Sequence, residues 1–446
     1  MEAQREESRV TPDQHREESL GEAFDWQNCW YPVTFVEDLL PDSPTAFTLY
    51  DEPLVLFVDG SETVVCLADR CAHRAARLSD GQIVDGRIEC LYHGWQYDAS
   101  GKCVRIPQLV DSLQIPPKAC VRAYPVAVEQ GMVWIWAGEP ERADASRIPL
   151  TDKLNRASVN SVDFQIDLPY DQSYLIENVI DIAHIHIAHD GIRGGGFRAA
   201  AKPLEFDVLE SSINGIRSGY KSIGLRENSV LKSALVEYVA PNLVRFTSEY
   251  RDADLIAGLD LYSIPLGRSR CRLLYRKYSN FASWRERWKP RWLEHWTQCT
   301  ILEQDMGVVI GQHEHIERAR GRLGDLWCPI RTSDRLVIEY RKWLDRFGRD
   351  LPFYRGYDSR KSGSPDPFLT KLPVDRYSLH TRVCRTCGKL YRNIRLATKG
   401  LWVVIAAAAA LAILAAGGWV SYVSVAFGLL ALAGVALLGR MKARLE

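Results

Sequence analysis

Two cysteines and two histidines lie close together in the segment DRCAHRAARLSDGQIVDGRIECLYHGWQYD. Cys71 and His73 form one pair, Cys90 and His93 form a second pair, and 16 residues separate His73 from Cys90. Thiolates and imidazoles are common protein ligands of transition metals, so this spacing predicts a metal site built from two loops.

Zinc and an iron–sulfur cluster are the two candidates for this site. Structural zinc also uses two Cys and two His, but in zinc fingers both cysteines usually precede both histidines. Here each loop carries one of each. That distribution suits a [2Fe–2S] cluster in which two thiolates hold one iron and two imidazoles hold the other, an arrangement with a raised reduction potential. The pattern therefore favours a one-electron carrier, with zinc as the alternative.

A one-electron carrier performs no substrate chemistry, and a second group of candidate ligands follows in YLIENVIDIAHIHIAHDG. The apolar spacing predicts a helix on which Glu177, Asp181 and His184 share one face. Periodicity does not choose among the three histidines. His186 and His189 are three apart and lie on one face, whereas His184 and His189 are five apart, about 140° around an ideal helix.

The rest of the chain indicates several domains in a reducing compartment. The 446 residues exceed one ordinary domain, and their formal net charge of zero gives no basic field for nucleic acid. Short apolar or alternating runs separated by turn residues predict β-structure over 26–146. Eleven scattered cysteines show no disulfide framework. Residues 1–25 are polar and lack the apolar region of a secretory signal, so we expect a disordered tail.

The C-terminal segment 401–439 contains no charged residue. It is too long for a single span of about 20 residues, and Gly417-Gly418 divides it, so we predict a hairpin of two membrane helices. Basic residues flank both ends, which places both ends and the catalytic body on the cytoplasmic side. A buried hairpin of a soluble protein and a single tilted span are the alternatives.

The paired loops resemble the Rieske domain of ring-hydroxylating oxygenases, whose pattern is C-x-H-R…C-x-x-H-G-W-x-[FY]-x-x-x-G. The extra cysteine that respiratory Rieske subunits carry in each loop is absent from these loops. The resemblance implies an α+β fold, with an all-β Rieske domain over 26–146 and a helix-grip catalytic domain over 147–355. A linker over 356–400 would lead to the transmembrane helical hairpin.

The same family shows the motif E-N-x-x-D-x-x-H-x4-H, which implies that His184 and His189 bind a mononuclear Fe(II). A break or distortion of the helix between these two histidines is then implied, and His186 remains as an alternative ligand. The segment TILEQDMGVV resembles the family's late E-x-D motif, which makes Asp305 the third ligand. Such a triad of two histidines and one carboxylate leaves positions open for O₂.

Other side chains near Asp305 compete with it in the sequence. Glu303 and Asp325 are the alternative carboxylates. We expect His313 and His315 to lie on an exposed helix.

Asp181 has a separate implied role. In the family this residue bridges a Rieske histidine of one subunit, here His93, to an iron-ligand histidine of the next subunit. Within one chain of the family the two metals are too far apart for fast electron transfer. The resemblance therefore implies a head-to-tail homotrimer, with ferredoxin or a ferredoxin reductase as the electron source.

Three features together resemble the pheophorbide a oxygenase group. They are the two predicted membrane spans, the segment WYPVTFVEDL near the start, and a C-x-x-C motif at Cys384 and Cys387. Its members oxygenate chlorophyll-derived macrocycles at a membrane. This implies a hydrophobic substrate such as pheophorbide a and an inner or thylakoid-like membrane. Another lipophilic substrate, or a non-catalytic redox relay that uses the C-x-x-C, is the alternative. Cys384 and Cys387 would form a redox-regulated dithiol, an incomplete zinc site with His380, or two unpaired thiols.

Overall fold

The computed structural model describes residues 22–192, 195–222, 231–250, 254–281, 288–319, 321–361, 374–415 and 417–446. Most of the predicted tail over 1–25 lies outside the described residues. Within them the strands form antiparallel sheets, and long helices follow in the second half of the chain.

The N-terminal β-structure consists of three small sheets with the orders β1-β11-β10, β2-β3-β4-β9 and β5-β6-β7-β8. Their strands are β1 (Trp30–Phe35), β2 (Thr45–Leu49), β3 (Glu52–Val58), β4 (Val64–Ala68), β5 (Gln82–Val84), β6 (Arg87–Glu89), β7 (Gln96–Tyr97), β8 (Cys103–Arg105), β9 (Ala123–Tyr124), β10 (Val126–Glu129) and β11 (Met132–Trp136). Every residue of β1 and β11 is buried, because these strands pack against the next sheet as well as their own. This part is the predicted all-β structure.

A seven-stranded sheet follows with the order β12-β18-β17-β16-β15-β14-β13, so β12 and β13 are its two edges. Its strands are β12 (Asn160–Leu168), β13 (Leu204–Ser212), β14 (Gly215–Ser222), β15 (Leu231–Val239), β16 (Leu243–Tyr250), β17 (Ile256–Gly267) and β18 (Arg270–Ser279). β16, β17 and β18 contribute Leu243, Tyr262 and Leu274 to the core shared with β1 and β11.

Helices cover the opposite face of this sheet. They are α1 (Gln172–Ile180), α2 (Ile185–Ala188), α3 (Arg291–Arg318), α4 (Leu323–Leu326) and α5 (Arg335–Phe347). Leu175, Leu302 and Trp343 come from three of these helices and are buried in one core with the sheet residues. The long α3 lying on an antiparallel sheet agrees with the α+β, helix-grip prediction.

Two buried arginines on β18 join the seven-stranded sheet to the N-terminal β-structure. Arg272 donates two hydrogen bonds of 2.6 and 3.1 Å to Asp167 on β12, and one of 3.2 Å to the carbonyl of Val33. Arg276 repeats this arrangement, with two bonds of 2.7 Å to Asp163 and one of 2.6 Å to the carbonyl of Gln130. Each guanidinium thus completes a bidentate pair within the sheet and holds a backbone carbonyl of the other part.

The C-terminal segment forms two antiparallel helices, α6 (Arg385–Leu414) and α7 (Trp419–Ala443), both long and apolar enough to cross a membrane. A Cβ on Gly428 would lie 3.6 Å from that of Ala408, so the helices approach closely. Gly417 turns the chain with a φ of +87°, which glycine adopts without strain. The helical hairpin confirms the prediction, but α6 begins at Arg385 rather than near 401, so residues 385–400 of the predicted linker are helical.

We expect Arg272→Met to destabilise the fold, because it leaves Asp167 and the Val33 carbonyl without their donor. Breaking a buried ion pair from one side costs about 3–5 kcal/mol, and the lower value applies because the Asp167 side chain remains 20% exposed. The thermal unfolding midpoint, followed by circular dichroism in detergent, should fall clearly below that of the wild type. Lys277→Met, at an exposed position of β18, is the matched control. Equal midpoints for the two variants would refute the structural role of Arg272.

Candidate metal centres

The two loops with Cys71/His73 and Cys90/His93 have the same backbone design. In the first, the N–H of Ala75 donates to the carbonyl of Cys71 at 2.9 Å, and in the second the N–H of Gly94 donates to that of Cys90 at 2.9 Å. Both closing residues have positive φ, +58° at Ala75 and +71° at Gly94. The repeat places one Cys and one His of each loop in equivalent positions facing the other loop.

The side chains of the two loops divide by burial. Cys71 and Cys90 are 3% and 1% exposed, whereas His73 and His93 are only half-buried, with ring centroids 4.5 Å apart. The ring of Trp95 stacks on His73 at 4.7 Å. Thiolates inside and imidazoles at the rim suit a two-iron cluster whose histidine-bound iron faces outward.

His184, His189 and Asp305 form a second candidate site. One ligand atom from each lies within 4.8 Å of the others. The Asp305 carboxylate is 3.3 Å from Nε2 of His189 and 3.7 Å from Nε2 of His184. Two imidazoles and one carboxylate at these distances fit the facial triad of a non-haem Fe(II) centre.

The helix that carries the motif is interrupted at Asp181 and changes its winding again after His184. α1 ends at Asp181, whose φ and ψ of −75° and 91° are extended, and its side chain accepts a 2.9 Å hydrogen bond from the N–H of Ala183. A 3₁₀ turn over Ile182–His184 then runs directly into α2. The winding thus changes from 3₁₀ to α after His184, and His189 lies at the C-cap of α2, which agrees with the distortion that the motif implied between the two histidines.

Side chains beside the triad determine which nitrogen of each histidine faces Asp305. Nδ1 of His189 lies 3.0 Å from Oε1 of Gln304, which leaves Nε2 free for a metal. Nδ1 of His184 lies 3.7 Å from the carboxylate of Asp181, a charge contact rather than a hydrogen bond. Partners of this kind orient metal ligands and make them more basic.

The protonation behaviour of the triad is that of a site built for a cation. Burial raises the pKa of Asp305 above its ordinary value, although His184, His189 and a hydrogen bond from Asn178 act in the opposite direction. Burial lowers the pKa of His184, but Asp181 and Asp305 outweigh it, so the net shift is upward. The carboxylates of Asp181 and Asp305 thus both favour a positive charge at the triad.

A buried ion pair supports the helix that precedes the triad. Arg341, fully buried on α5, donates to Glu177 at 2.6 Å and to Ser173 at 3.0 Å, and Gln312 donates to the other oxygen of Glu177 at 2.8 Å. Glu177 therefore joins α1, α3 and α5 rather than binding metal. The sequence predicted a place for Glu177 in the motif but gave no signal for Arg341, which lies 164 residues away.

The competing carboxylates are placed away from the triad. Glu303 pairs with Arg376 at 2.6 Å, and Asp325 pairs with Arg322 at 3.0 Å on an exposed turn. Asp305 is the carboxylate that reaches the two histidines.

The other histidines near the motif, His186, His313 and His315, lie outside the triad. His186 faces the loop at Phe197, whose N–H lies 3.4 Å from its Nδ1, and is not among the clustered ligands. His315 is exposed as expected. The expectation for His313 is wrong: it is 5% exposed and packs on Tyr174 with ring centroids 4.6 Å apart. α3 buries this side chain because α1 crosses it there.

Two further residues near the metal centres were missed by the sequence reasoning. The hydroxyl of Tyr97 lies 3.1 Å from Sγ of Cys71 and accepts a 3.0 Å hydrogen bond from the N–H of Ala72, so it ties the first loop to β7. Its position as the aromatic residue after G-W was the available signal. Gln304 had no signal beyond its place next to Asp305.

A cavity of about 440 Å³ opens beside the triad. The polar part of its lining includes Asn178, Asp181 and His184. The apolar part includes Val308, Val309, Leu326, Trp327, Pro329 and Val337. Apolar walls around a few placed polar groups are typical of a small-molecule site.

We expect His184→Ala to lose the mononuclear iron while the [2Fe–2S] signal in electron paramagnetic resonance stays unchanged, because the two sites share no ligand. Iron analysis of the purified protein should fall from about three to about two irons per chain. His186→Ala, two residues away, is the control and should keep all the iron. Loss of iron in His186→Ala with retention in His184→Ala would reverse the ligand assignment.

Two protein-family descriptions match the chain. Residues 29–125 match the Rieske [2Fe-2S] domain, and residues 238–322 match pheophorbide a oxygenase. The first range contains the four candidate ligands of the two loops, and the second contains Asp305.

Relatives cover most of the chain. Protein TIC 55, chloroplastic, of Arabidopsis thaliana is 32% identical over 434 residues, which is 91% of this chain and 80% of the relative. Pheophorbide a oxygenase, chloroplastic, of Oryza sativa subsp. japonica is 32% identical over 416 residues, 85% of this chain and 76% of the relative. The crystal structure of dicamba monooxygenase bound to dicamba has the same fold, with a TM-score of 0.59 at 21% identity over 72% of this chain and 96% of its own.

These matches decide between the alternatives that the ligand spacing left open. The match over 29–125 favours the iron–sulfur cluster over zinc, and the named oxygenases among the relatives exclude a purely electron-carrying protein. The chain belongs to the Rieske non-haem iron oxygenases, in the group that includes pheophorbide a oxygenase and TIC 55, and its cofactors are a Rieske [2Fe–2S] cluster and a mononuclear iron that uses O₂.

Proposed function

We propose that this oxygenase acts on a chlorophyll-derived tetrapyrrole, or a closely similar hydrophobic macrocycle, at a membrane surface. The observation that carries the proposal is the cavity beside the triad, whose lining combines apolar side chains with Asp181, His184 and Asp305. The apolar side chains would hold a hydrophobic molecule, and the polar groups would orient it. The relative named pheophorbide a oxygenase supports the tetrapyrrole class.

We propose that α6 and α7 cross the bilayer as a hairpin. Each contains an 18-residue window of high hydropathy with at most two charged residues, about 27 Å of helix, which is close to the hydrocarbon thickness of about 30 Å. Large apolar side chains of both helices are exposed. Trp402 lies at the start of the uncharged part of α6, and Trp419 lies at the turn between the two helices. Basic residues at both chain ends of the hairpin support a catalytic body on the cytoplasmic side of an inner or thylakoid-like membrane. A lipophilic substrate would then arrive through the lipid.

The proposed electron source is a ferredoxin or a ferredoxin reductase, and the proposed assembly is a homotrimer. Leu91 and Tyr92 flank the ligand Cys90 and are 70% and 62% exposed, which leaves an apolar rim around His93 available to a neighbouring subunit. The Asp181 side chain is 31% exposed while it contacts His184. In the proposed trimer Asp181 would contact both His184 of its own chain and His93 of the next subunit.

Within this proposal the residues of the chain have defined tasks. His73 and His93 with Cys71 and Cys90 would hold the cluster. His184, His189 and Asp305 would hold the mononuclear iron, which when bound supplies the activation of O₂ for hydroxylation, ring opening or demethylation. Gln304 orients His189, and the pair of Glu177 and Arg341 holds α1 against α3 and α5.

We expect Asp181→Asn to keep both metal centres and to lose turnover by about a hundredfold or more, because the neutral amide cannot link the two imidazoles as the carboxylate does. Rapid mixing of the reduced protein with substrate and O₂ would show a cluster that stays reduced. Asp190→Asn removes a neighbouring, 41% exposed carboxylate and should turn over normally. Normal turnover in Asp181→Asn would refute the bridge.

The substrate class is tested by turnover of the full-length protein in lipid nanodiscs with ferredoxin, ferredoxin reductase and ¹⁸O₂. The panel contains pheophorbide a, chlorophyllide a, a phenolic compound and a long-chain alkane. We expect labelled product from a tetrapyrrole, detected by mass spectrometry, and none from His184→Ala. Label only in a non-tetrapyrrole would overturn the proposed substrate class while leaving the oxygenase assignment intact.

A further inference from the structure

A second set of two cysteines and two histidines lies outside both iron sites. His295 on α3 joins His380, Cys384 and Cys387, and one ligand atom from each lies within 4.8 Å of all the others. All four residues are at most 1% exposed. We propose that these residues form a closed, tetrahedral zinc site that fastens the membrane hairpin to the catalytic domain.

The distances fit a single zinc ion. Sγ of Cys384 and Sγ of Cys387 are each 3.5 Å from Nδ1 of His295. A tetrahedral site with zinc–sulfur bonds of about 2.3 Å and zinc–nitrogen bonds of about 2.0–2.1 Å separates such atoms by about 3.6 Å. Four ligands around one point also differ from the paired loops at Cys71 and Cys90, whose histidines stand at the rim.

The backbone of β12 orients both histidines. Nε2 of His295 lies 2.9 Å from the carbonyl oxygen of Asp163, and Nδ1 of His380 lies 2.6 Å from that of Gln165. Each ring therefore donates to a carbonyl on the open edge of the sheet and keeps its other nitrogen unprotonated. That is the arrangement of metal-bound histidines, in which a second partner fixes the tautomer.

The nitrogen that His380 leaves free points to a missing partner. Nε2 of His380 is buried and makes no hydrogen bond. A buried acceptor without a partner destabilises the fold, so a ligand is expected there. A zinc ion would satisfy this atom, and its two charges would balance the thiolates of Cys384 and Cys387, so the buried site carries no net charge.

The position of the site explains what it would hold. Cys384 is the N-cap of α6 and Cys387 lies in its first turn. The end of the chain returns to the same place, where Thr381 donates to the carbonyl of Leu445 at 2.7 Å. Both ends of the hairpin thus meet at His295, which lies ten residues, about 15 Å, along α3 from Asp305. Zinc would fix the hairpin to the helix that carries an iron ligand.

Metal analysis of the full-length protein, purified in detergent under reducing conditions, tests the proposal. We expect about one zinc per chain beside the irons, and loss of that zinc with retention of the iron in Cys384→Ser/Cys387→Ser. Cys299→Ser is the matched control, since Cys299 is a fully buried thiol one turn along α3 from His295. His184→Ala should also keep its zinc, which excludes zinc that has entered the iron site.

Zinc-edge X-ray absorption of the wild type gives a result that does not depend on the folding of a variant. We expect sulfur neighbours at about 2.3 Å and nitrogen neighbours at about 2.0–2.1 Å in equal numbers. A spectrum with only nitrogen and oxygen neighbours would overturn the proposal. So would a wild type that binds no zinc after addition of the metal, or a Cys384–Cys387 disulfide that persists under the same reducing conditions.

Discussion

The packing of α3 onto the seven-stranded sheet is the contact on which the candidate sites at Asp305 and His295 depend. This helix brings Asp305 to His184 and His189, Glu303 to Arg376, and His295 to the C-terminal cysteines. Its buried residues belong to the same core as those of α1 and α5. A shift of α3 by one residue would turn it by about 100° and remove Asp305 from the triad. The apolar core therefore sets the geometry of the metal ligands.

Two sets of two thiols and two imidazoles have different architectures in this chain. In the paired loops each turn contributes one thiol and one imidazole, with the thiols buried and the imidazoles at the rim. That separation suits two irons, one of which must exchange electrons with the outside. The set around His295 is buried throughout and converges on one point, as a single ion with a structural role requires. The two sets differ in how the backbone presents the donors.

Three buried arginines use their guanidinium groups in the same way. Arg272 and Arg276 lie opposite Asp167 and Asp163 in the register of β18 and β12. Each arginine also donates a third hydrogen bond to a backbone carbonyl of the N-terminal β-structure. Arg341 on α5 likewise pairs with Glu177 on α1 and donates a further hydrogen bond to the carbonyl of Arg355. In each case the guanidinium is planar and offers several donors, so one residue satisfies a carboxylate and a backbone carbonyl at once. Such pairs fix the relative positions of elements that the apolar core alone would leave free to slide.

The sequence by itself determined the donor types of both iron sites, the all-β start of the chain and the apolar hairpin at its end. These features rest on local spacing or on a motif, which a single segment contains. It did not determine the break at Asp181, the burial of His313, or the start of α6 at Arg385, because each depends on what packs against the segment. Only the tertiary structure joined His295 to His380, Cys384 and Cys387. Residues 85 positions or more apart have no common periodicity, and their contact is decided by the sheet and helix that lie between them.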